Sequence, residues 1–461
     1  MANIVSDPSS ASVPFSHAHW DSGFSSVIIK HYLMQYKIKS NGRVGGRILL
    51  PSSKSISNRA LAIGALAGCI DNIENLSECD DTEVMLQWLK NCPATVDIGA
   101  AGTSMRFSTA LLSVGQGEHV ITGSERMKNR PIKILVDALR SLGAEIIYEE
   151  KEGYPPLRVI GRGTLACSEV SLPGNVSSQY ISALLMIGPY LRNGLRLTLT
   201  DKIISRPYIE MTMSLMRQFG AVVEWEGNAS EGNVCNGNVC EANVIVVAPV
   251  KYAVKPFMVE SDWSAASYWY EMVALSSDKD ASVLLPGLFD QSLQGDAGGR
   301  EVFSLLGVST SYTSDGVLLR KKEVEVKELE YDFVKMPDLA QTFVVTCCML
   351  GLPFHFTGLE SLKIKETDRI VALKNEMAKL GYMLEDKNDC ELLWDGLKED
   401  VSGEEYDRVA IDTYEDHRMA MAFAPVALVN GSIRINNPHV VSKSYPRYWE
   451  NLQQVGISVI K

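Results

Sequence analysis

An excess of positive charge is the first thing this sequence lacks. Its 461 residues hold 44 Lys and Arg against 56 Asp and Glu, a formal net charge of −12. That argues against nucleic acid as the main partner, because binding a phosphate backbone needs a basic face. A small anion in a locally basic cleft stays open. Cysteine is sparse and unpatterned. The nine cysteines include no C-x-x-C pair; Cys347 and Cys348 lie in an apolar run and read as core, and Cys235 and Cys240 in a short polar near-repeat that reads as a loop or hairpin. Nothing demands a disulfide framework, so a reducing, cytoplasmic setting is expected. The seven histidines show no metal-ligand spacing, and His17 and His19 belong to an irregular tail. Long hydrophobic runs are missing too: the longest, Thr342 to Phe356, is broken by Gly351 and Pro353, so no membrane span is expected. Residues 1–33 are Ser-rich and lack the basic start, apolar middle and cleavage site of a signal peptide. They read as an irregular extension with no part in the fold, which is expected to begin near Met34.

What is present is a recurring unit: an amphipathic helix, a glycine, then a strand. It appears at Gly143, Gly220, Gly307, Gly381 and Gly456. Glycine ends such helices because it enters the left-handed conformation without penalty. The strands expected to follow are Ala144–Tyr148, Ala221–Trp225, Val308–Thr310, Tyr382–Leu384 and Ile457–Ile460. A weaker sixth copy without the glycine is Leu86–Lys90 into Ala94–Val96. The glycines are 74 to 87 residues apart, too long for a thin solenoid and fitting a repeated α/β subdomain. A boundary is placed near Ser261, with three copies on each side.

Polar segments interrupt this rhythm. In Leu50–Arg59, Pro51 and four serines precede a long apolar run, which places Lys54, Ser55 and Arg59 at the N-terminus of a buried helix. Helix N-termini attract anions through free N–H groups and the helix dipole. Gly102–Arg106 opens another apolar helix. Arg126–Pro131 carries three cations, and Pro131 is expected at the first position of the next helix, with Arg130 just ahead of it. Ser177, Ser178 and Gln179 start a third buried helix, and Ser205 to Tyr208 a fourth. Lys365 and Arg369 are four apart, predicting one helical face with Glu366 beside them. Asp416, His417 and Arg418 stand ahead of a wholly apolar helix, Asp338 precedes another, and Lys443 follows a short apolar stretch. Any one of these is compatible with a capped helix or a solvated ion pair. Together they describe polar and cationic helix starts in repeated subdomains, able to converge on one polyanion.

In order and spacing, Leu50–Arg59, Gly102–Arg106, Arg126–Pro131, Ser177–Gln179, Ser205–Tyr208, Glu260–Asp262, Lys365–Arg369, Asp416–Ala420 and Lys443 resemble the 5-enolpyruvylshikimate-3-phosphate synthase family, within the enolpyruvyl transferases. The resemblance covers nearly everything from Met34 onward. It implies an α/β fold of two domains, an inside-out α/β barrel of six βαβαββ repeats, three per domain. Domain I would be 34–53 plus 261–461, and domain II 54–260. It implies that the 5-hydroxyl of shikimate 3-phosphate adds to C2 of phosphoenolpyruvate while C3 is protonated, and that the tetrahedral adduct then loses phosphate and a C3 proton. No metal or organic cofactor is implied, and no covalent intermediate. A monomer acting on two small anions is expected.

By the same resemblance, Ser177, Ser178, Ser205, Tyr208 and Arg59 would hold the shikimate phosphate, with Lys54, Ser55, Gln179, Asp338, Ser361 and Lys365 also on that substrate. Gly102, Arg130, Arg369, Arg418 and Lys443 would hold phosphoenolpyruvate, shared with Lys54 and Gln179. Asp338 is the candidate to take the hydroxyl proton and Glu366 to exchange the C3 proton, with Lys54, Lys365 and His417 as assistants. Burial favours a protonated carboxyl and neighbouring cations oppose it; the sequence leaves that balance open. This chain departs from the common family pattern at Ala100 (Asn), Phe107 (Pro), Ser361 (Asn) and Ser52 (Gly). Two other readings fit less well. A transferase acting on UDP-N-acetylglucosamine typically carries a loop cysteine, which Gly123–Pro131 lacks. A non-catalytic anion binder would not need the full set of charged groups.

Overall fold

A computed structural model describes residues 34–204, 206–226, 233–235, 238–240, 243–400 and 409–461. Residues 1–33 and Ser205 therefore lie outside the described residues. Among the described residues, no helix is long and apolar enough to cross a membrane.

The strands are short, two to seven residues, so each sheet needs several of them and a helix against one face. Five four-stranded sheets result, and all share one pattern: a parallel pair, then two antiparallel additions. In one, Thr95–Asp97 pairs parallel with Gln116–Thr122, which pairs antiparallel with Leu157–Arg162 and that with Glu145–Tyr148. The others are built on the parallel pairs Glu169–Pro173 with Leu195–Thr200, Gly45–Arg47 with Ser282–Leu285, Leu329–Asp332 with Phe354–Thr357, and Ala410–Ile411 with Ser432–Asn436. A further parallel pair, Ile73–Glu74 with Phe257–Met258, stands alone.

A parallel pair requires a crossover, and a helix supplies it. The apolar helices are Lys54–Ala67, Gly102–Val114, Ser178–Ile187, Trp263–Leu275, Ala340–Leu350 and His417–Phe423, and all but the first, which precedes both strands of the lone pair, lie in such crossovers. They are buried along nearly their whole length because they pack against sheets and against one another. The second helix of each unit is amphipathic and ends at a glycine. Gly143, Gly220, Gly307, Gly381 and Gly456 all have φ between +86° and +101°, the conformation that only glycine adopts at little cost. At the weaker copy Cys92 takes this role, at φ +42°.

Three expectations need correcting. The strand after Gly381 begins at Glu385, because Tyr382 makes only an isolated bridge to Lys398. Thr95–Asp97 opens the next sheet instead of closing its own unit, since its partner Gln116–Thr122 runs parallel to it. Pro131 does not start a helix: Ile132 is the N-cap of Lys133–Ser141, and the Pro131 carbonyl instead accepts from Tyr180. The Cys235–Cys240 segment is a hairpin, Asn233–Cys235 against Asn238–Cys240.

The apolar side chains form two separate cores. One gathers residues from Tyr36 to Leu50 and from Trp263 to Ile457; the other runs from Ile56 to Val259. The chain crosses between them twice, side by side. Ser52 bridges Ser261, Ser53 N donates to Glu260 O at 2.8 Å, and Asp262 N donates to Pro51 O at 2.9 Å. The buried Glu260 carboxylate fixes this crossing by accepting from Trp263 Nε1, Phe289 N, Ser292 Oγ and Gln294 Nε2 at 2.7–3.0 Å.

Candidate functional site

Between the two cores lies a cavity of about 530 Å³. The N-termini of five of the six apolar helices open onto it from both sides, Trp263–Leu275 being the exception. Ser53 caps the first, accepting from Ile56 N. Ser177 caps the third through Gln179 N. Asp416 caps the sixth through Arg418 N. These caps fix the chain direction, so that Lys54, Ser55, Gly102, Ser178, Gln179, His417 and Arg418 all face the same space. Apart from Ser205, which is not described, every candidate site residue expected from the sequence lines this one cavity.

Eight cations line the cavity, Lys54, Arg59, Arg106, Arg130, Lys365, Arg369, Arg418 and Lys443, against three carboxylates, Asp81, Asp338 and Glu366. This excess of positive charge exists inside a chain of net charge −12, and low-dielectric walls strengthen its pull on an anion.

Asp338 is the hub on the side of Trp263–Leu275. Its Oδ1 meets Arg369 Nη1 at 3.0 Å and Lys365 Nζ at 3.2 Å, and its Oδ2 meets Arg418 Nη2 at 3.1 Å. Tyr208 OH reaches across the cleft and donates to Oδ2 at 2.7 Å. Arg369, 1% exposed, also donates to Glu366 Oε2 at 2.8 Å and to Asp416 Oδ2 at 2.7 Å. The helix begins only at Arg369, capped by Asp368, so Lys365 and Arg369 do not share a helical face. A turn brings them together around Asp338 instead.

The balance left open by the sequence is resolved at both carboxyls. Burial pushes Asp338 up, but Arg418, Lys365 and Arg369 outweigh it and hold the group well below the carboxylate range. Burial likewise opposes ionisation of Glu366, and Arg369, Lys54 and Lys365 outweigh it. Both are therefore anions, fit to accept protons. His417 is driven the other way: burial and then Lys54 lower it well below its usual value, so it is neutral. Neither of its ring nitrogens makes a hydrogen bond among the described residues, though Asp416 Oδ1 lies 3.7 Å from Nδ1.

On the opposite side, two arginine side chains approach Gly102 closely, and any larger residue would displace their ends. A Cβ there would sit 2.5 Å from Arg130 Nη1 and 3.1 Å from Arg106 Nη1. Arg106 donates to the carbonyls of Gly102 and Pro131 at 2.9 and 3.3 Å. Gln179 Nε2 donates to Thr103 Oγ1 at 3.0 Å. Lys54 Nζ lies 3.8 Å from Asp81 Oδ2 and donates to Lys443 O at 3.4 Å, while Lys443 Nζ donates to Glu415 O at 2.9 Å. Arg126 does not enter the cavity; it pairs with Glu415 across the rim at 2.5 Å.

Sequence reasoning missed Asp81 and gave Arg106 no role. Asp81 follows Asp80 in the first turn of Asp80–Asn91, where acidic residues are commonplace. Only folding shows it half-buried beside Lys54, with desolvation raising its carboxyl. Asp296, behind Asp338, was also missed. Burial and the Asp338 charge push it up to about 7, and Ser264 donates to it. Among the described residues no group of three His, Cys, Asp or Glu could hold a metal ion.

With this geometry in place, comparison with known proteins is direct. The EPSP synthase (3-phosphoshikimate 1-carboxyvinyltransferase) family matches residues 38–96 and 89–452. A 3-phosphoshikimate 1-carboxyvinyltransferase of Bacteroides fragilis is 55% identical over 426 residues, covering 92% of this chain and 99% of its own length. One from Sulfurovum sp. is 35% identical over 438 residues, covering 89% and 97%. Among solved structures, an EPSP synthase from Acinetobacter baumannii aligns over 93% of this chain and 100% of its own, with TM-score 0.70 at 21% identity. The enolpyruvyl transferase NikO from Streptomyces tendae aligns over 92% and 98%, with TM-score 0.66 at 13% identity.

Proposed function

The chain belongs to the EPSP synthase (3-phosphoshikimate 1-carboxyvinyltransferase) family, and from that premise we propose how its cleft joins phosphoenolpyruvate to shikimate 3-phosphate. The protein is an enolpyruvyl transferase of the shikimate pathway. It gives 5-enolpyruvylshikimate 3-phosphate and phosphate. The observation that carries the reading of the site is the gathering of eight cations around two ionised carboxylates in one cavity.

Each substrate carries a phosphate and a carboxylate, and the two repel each other. Fixed cations in a desolvated cleft offset that repulsion, and arginine meets planar anions in a bidentate manner. In our reading Ser177, Ser178, Ser205, Tyr208 and Arg59 hold the shikimate phosphate, and Arg130, Arg369, Arg418, Lys443 and the Gly102 turn hold phosphoenolpyruvate, with Lys54 between them. Asp338 accepts the 5-hydroxyl proton as the oxygen adds to C2. Glu366 exchanges the C3 proton, with Lys54, whose ammonium is favoured by Asp81 despite burial, as the adjacent proton donor. Neutral His417 supports the Lys54–Glu366 pair. Collapse of the tetrahedral adduct expels phosphate toward the same arginines.

We read the five like sheets, with the lone Ile73–Phe257 pair as a reduced sixth, as six βαβαββ units in two domains, 34–53 plus 261–461 and 54–260. Pointing five of the six apolar-helix N-termini at the cavity makes the arrangement an inside-out barrel. We also read the protein as a cytoplasmic monomer. Acceptors such as UDP-N-acetylglucosamine, and a purely binding role, are not favoured.

A phosphate-release assay tests this. Phosphate should appear only with phosphoenolpyruvate and shikimate 3-phosphate together, and not with UDP-N-acetylglucosamine as acceptor. Tight binding of both substrates without turnover would contradict it.

A further inference from the structure

Phe107 is fully buried in the second turn of Gly102–Val114 and does not line the cavity. Its ring is nevertheless directed at a group that does. The Arg59 guanidinium carbon stands 5.5 Å from the Phe107 ring centroid and 5.9 Å from that of Tyr208. Both distances fall within cation–π range.

Arg59 is 2% exposed, and among the described residues no carboxylate pairs with it. Its partners are neutral: Nε donates to Thr212 Oγ1 at 2.7 Å, Nη1 to Ser55 O at 2.9 Å and Nη2 to Ser182 Oγ at 3.1 Å. Ser182 and Thr212 are themselves tied together at 2.8 Å, and Thr212 donates to Tyr208 O at 2.8 Å. A guanidinium has five N–H groups. Three are engaged, which leaves one on each terminal nitrogen, and Arg59 lines the cavity.

Such a buried cation needs stabilising. Burial draws it down to about 10, against a smaller opposing effect of Tyr208. A carboxylate partner would neutralise it and compete with an incoming anion. The negative face of an aromatic ring stabilises the cation and leaves its charge available.

We propose that Phe107 is a positioning residue for shikimate 3-phosphate: its ring holds the Arg59 guanidinium so that the two remaining N–H donors meet the substrate anion. This rests on the assignment of Arg59 to that substrate made above. A line of contacts then runs from Phe107 through Arg59 and Tyr208 to Asp338, linking the anion site to the proton acceptor on the far side of the cleft.

Site-specific replacement of Phe107 by mono-, di- and trifluorinated phenylalanine weakens the ring's negative face while keeping its shape. The dissociation constant and KM for shikimate 3-phosphate should rise stepwise, by about tenfold across the series. The kcat, the KM for phosphoenolpyruvate and the Tm should stay level. Phe107→Leu should show a similar loss for shikimate 3-phosphate. A flat fluorinated series in a protein that binds shikimate 3-phosphate would overturn the role of Phe107 alone. Equal changes in both KM values, together with a fall in kcat, would also overturn it, by showing a structural role. Failure of the unmodified protein to bind shikimate 3-phosphate would overturn both this inference and the reading of the cleft.

Discussion

The two walls of the cleft are built from the same strand and helix unit, yet they treat positive charge in opposite ways. On the wall formed by residues 54–260, Arg59 and Arg106 are held by hydroxyls and carbonyls, and burial lowers Arg59 and Arg130. On the wall formed by residues 261–461, Arg369 and Arg418 are held by carboxylates. There the opposite charges outweigh burial and raise both arginines. Each wall has one exception: Lys54 beside Asp81, and Lys443 on a backbone carbonyl. In our reading the difference separates two tasks. Unneutralised cations supply binding for anions, and neutralised cations keep Asp338 and Glu366 ionised, which proton transfer requires. Arg369 and Arg418, assigned to phosphoenolpyruvate as well, have less to offer that anion because each is already paired with a carboxylate.

The sharpest way to break this comparison is Asp338→Asn. It should lower kcat by about 10²- to 10⁴-fold, the usual worth of a positioned acid–base group, and change the KM for shikimate 3-phosphate only a few-fold. A steady-state assay of phosphate release checks both numbers. Next in size, Arg130→Ala on the opposite wall should raise the KM for phosphoenolpyruvate by about 10²-fold, because a buried cation facing an anion is lost, with a smaller effect on kcat. Equal losses of kcat in the two variants would erase the division of labour.

A smaller effect concerns stability. Glu271 is fully buried, and burial raises it well above its ordinary 4.5, offset only in part by Thr346. A carboxyl raised in the folded state is protonated there and ionised in the unfolded chain. Its contribution is therefore present below the unfolded pKa and lost as pH rises above 4.5 toward the folded value. Glu271→Gln removes this loss. Its Tm relative to wild type should climb steadily from pH 5 to pH 8 in thermal melts, and a pH-independent difference would contradict the assignment. Asp338 and Glu366 have the opposite sign: their contribution is present above the ordinary carboxylate range and is lost as pH falls through their depressed values. The smallest effect belongs to Arg447, whose exposed pair with Glu78 spans the rim at 2.8 Å. Arg447→Ala should alter kcat and both KM values by less than about twofold, since exposed pairs contribute 1 kcal/mol or less.

Much of the site was legible in the sequence because its residues sit at helix starts with recognisable caps. Lys54, Gly102, Ser178, Asp338 and Arg418 each precede or open an apolar run, and an apolar run beside a charge is a strong local signal. Gly143, Gly220, Gly307, Gly381 and Gly456 exposed the repeat for a similar reason, since each marks a left-handed helix end. The sheets were much less legible. Gly45–Arg47 and Ile73–Glu74 are too short to show alternation, and their parallel partners Ser282–Leu285 and Phe257–Met258 lie far away in the chain. Asp81 and Asp296 were hidden because their burial comes from the opposite wall or from deeper layers. Lys365 and Arg369 were correctly brought together for the wrong reason, since four-residue spacing implies a shared helical face only where both residues are helical.

The most direct test of the division between walls is calorimetric binding of shikimate 3-phosphate to Arg59→Ala and Asp338→Asn in parallel. Arg59→Ala should lose most of its affinity, and Asp338→Asn should bind within a few-fold of wild type while releasing almost no phosphate with both substrates present. Affinity retained in Arg59→Ala together with affinity lost in Asp338→Asn would contradict the account.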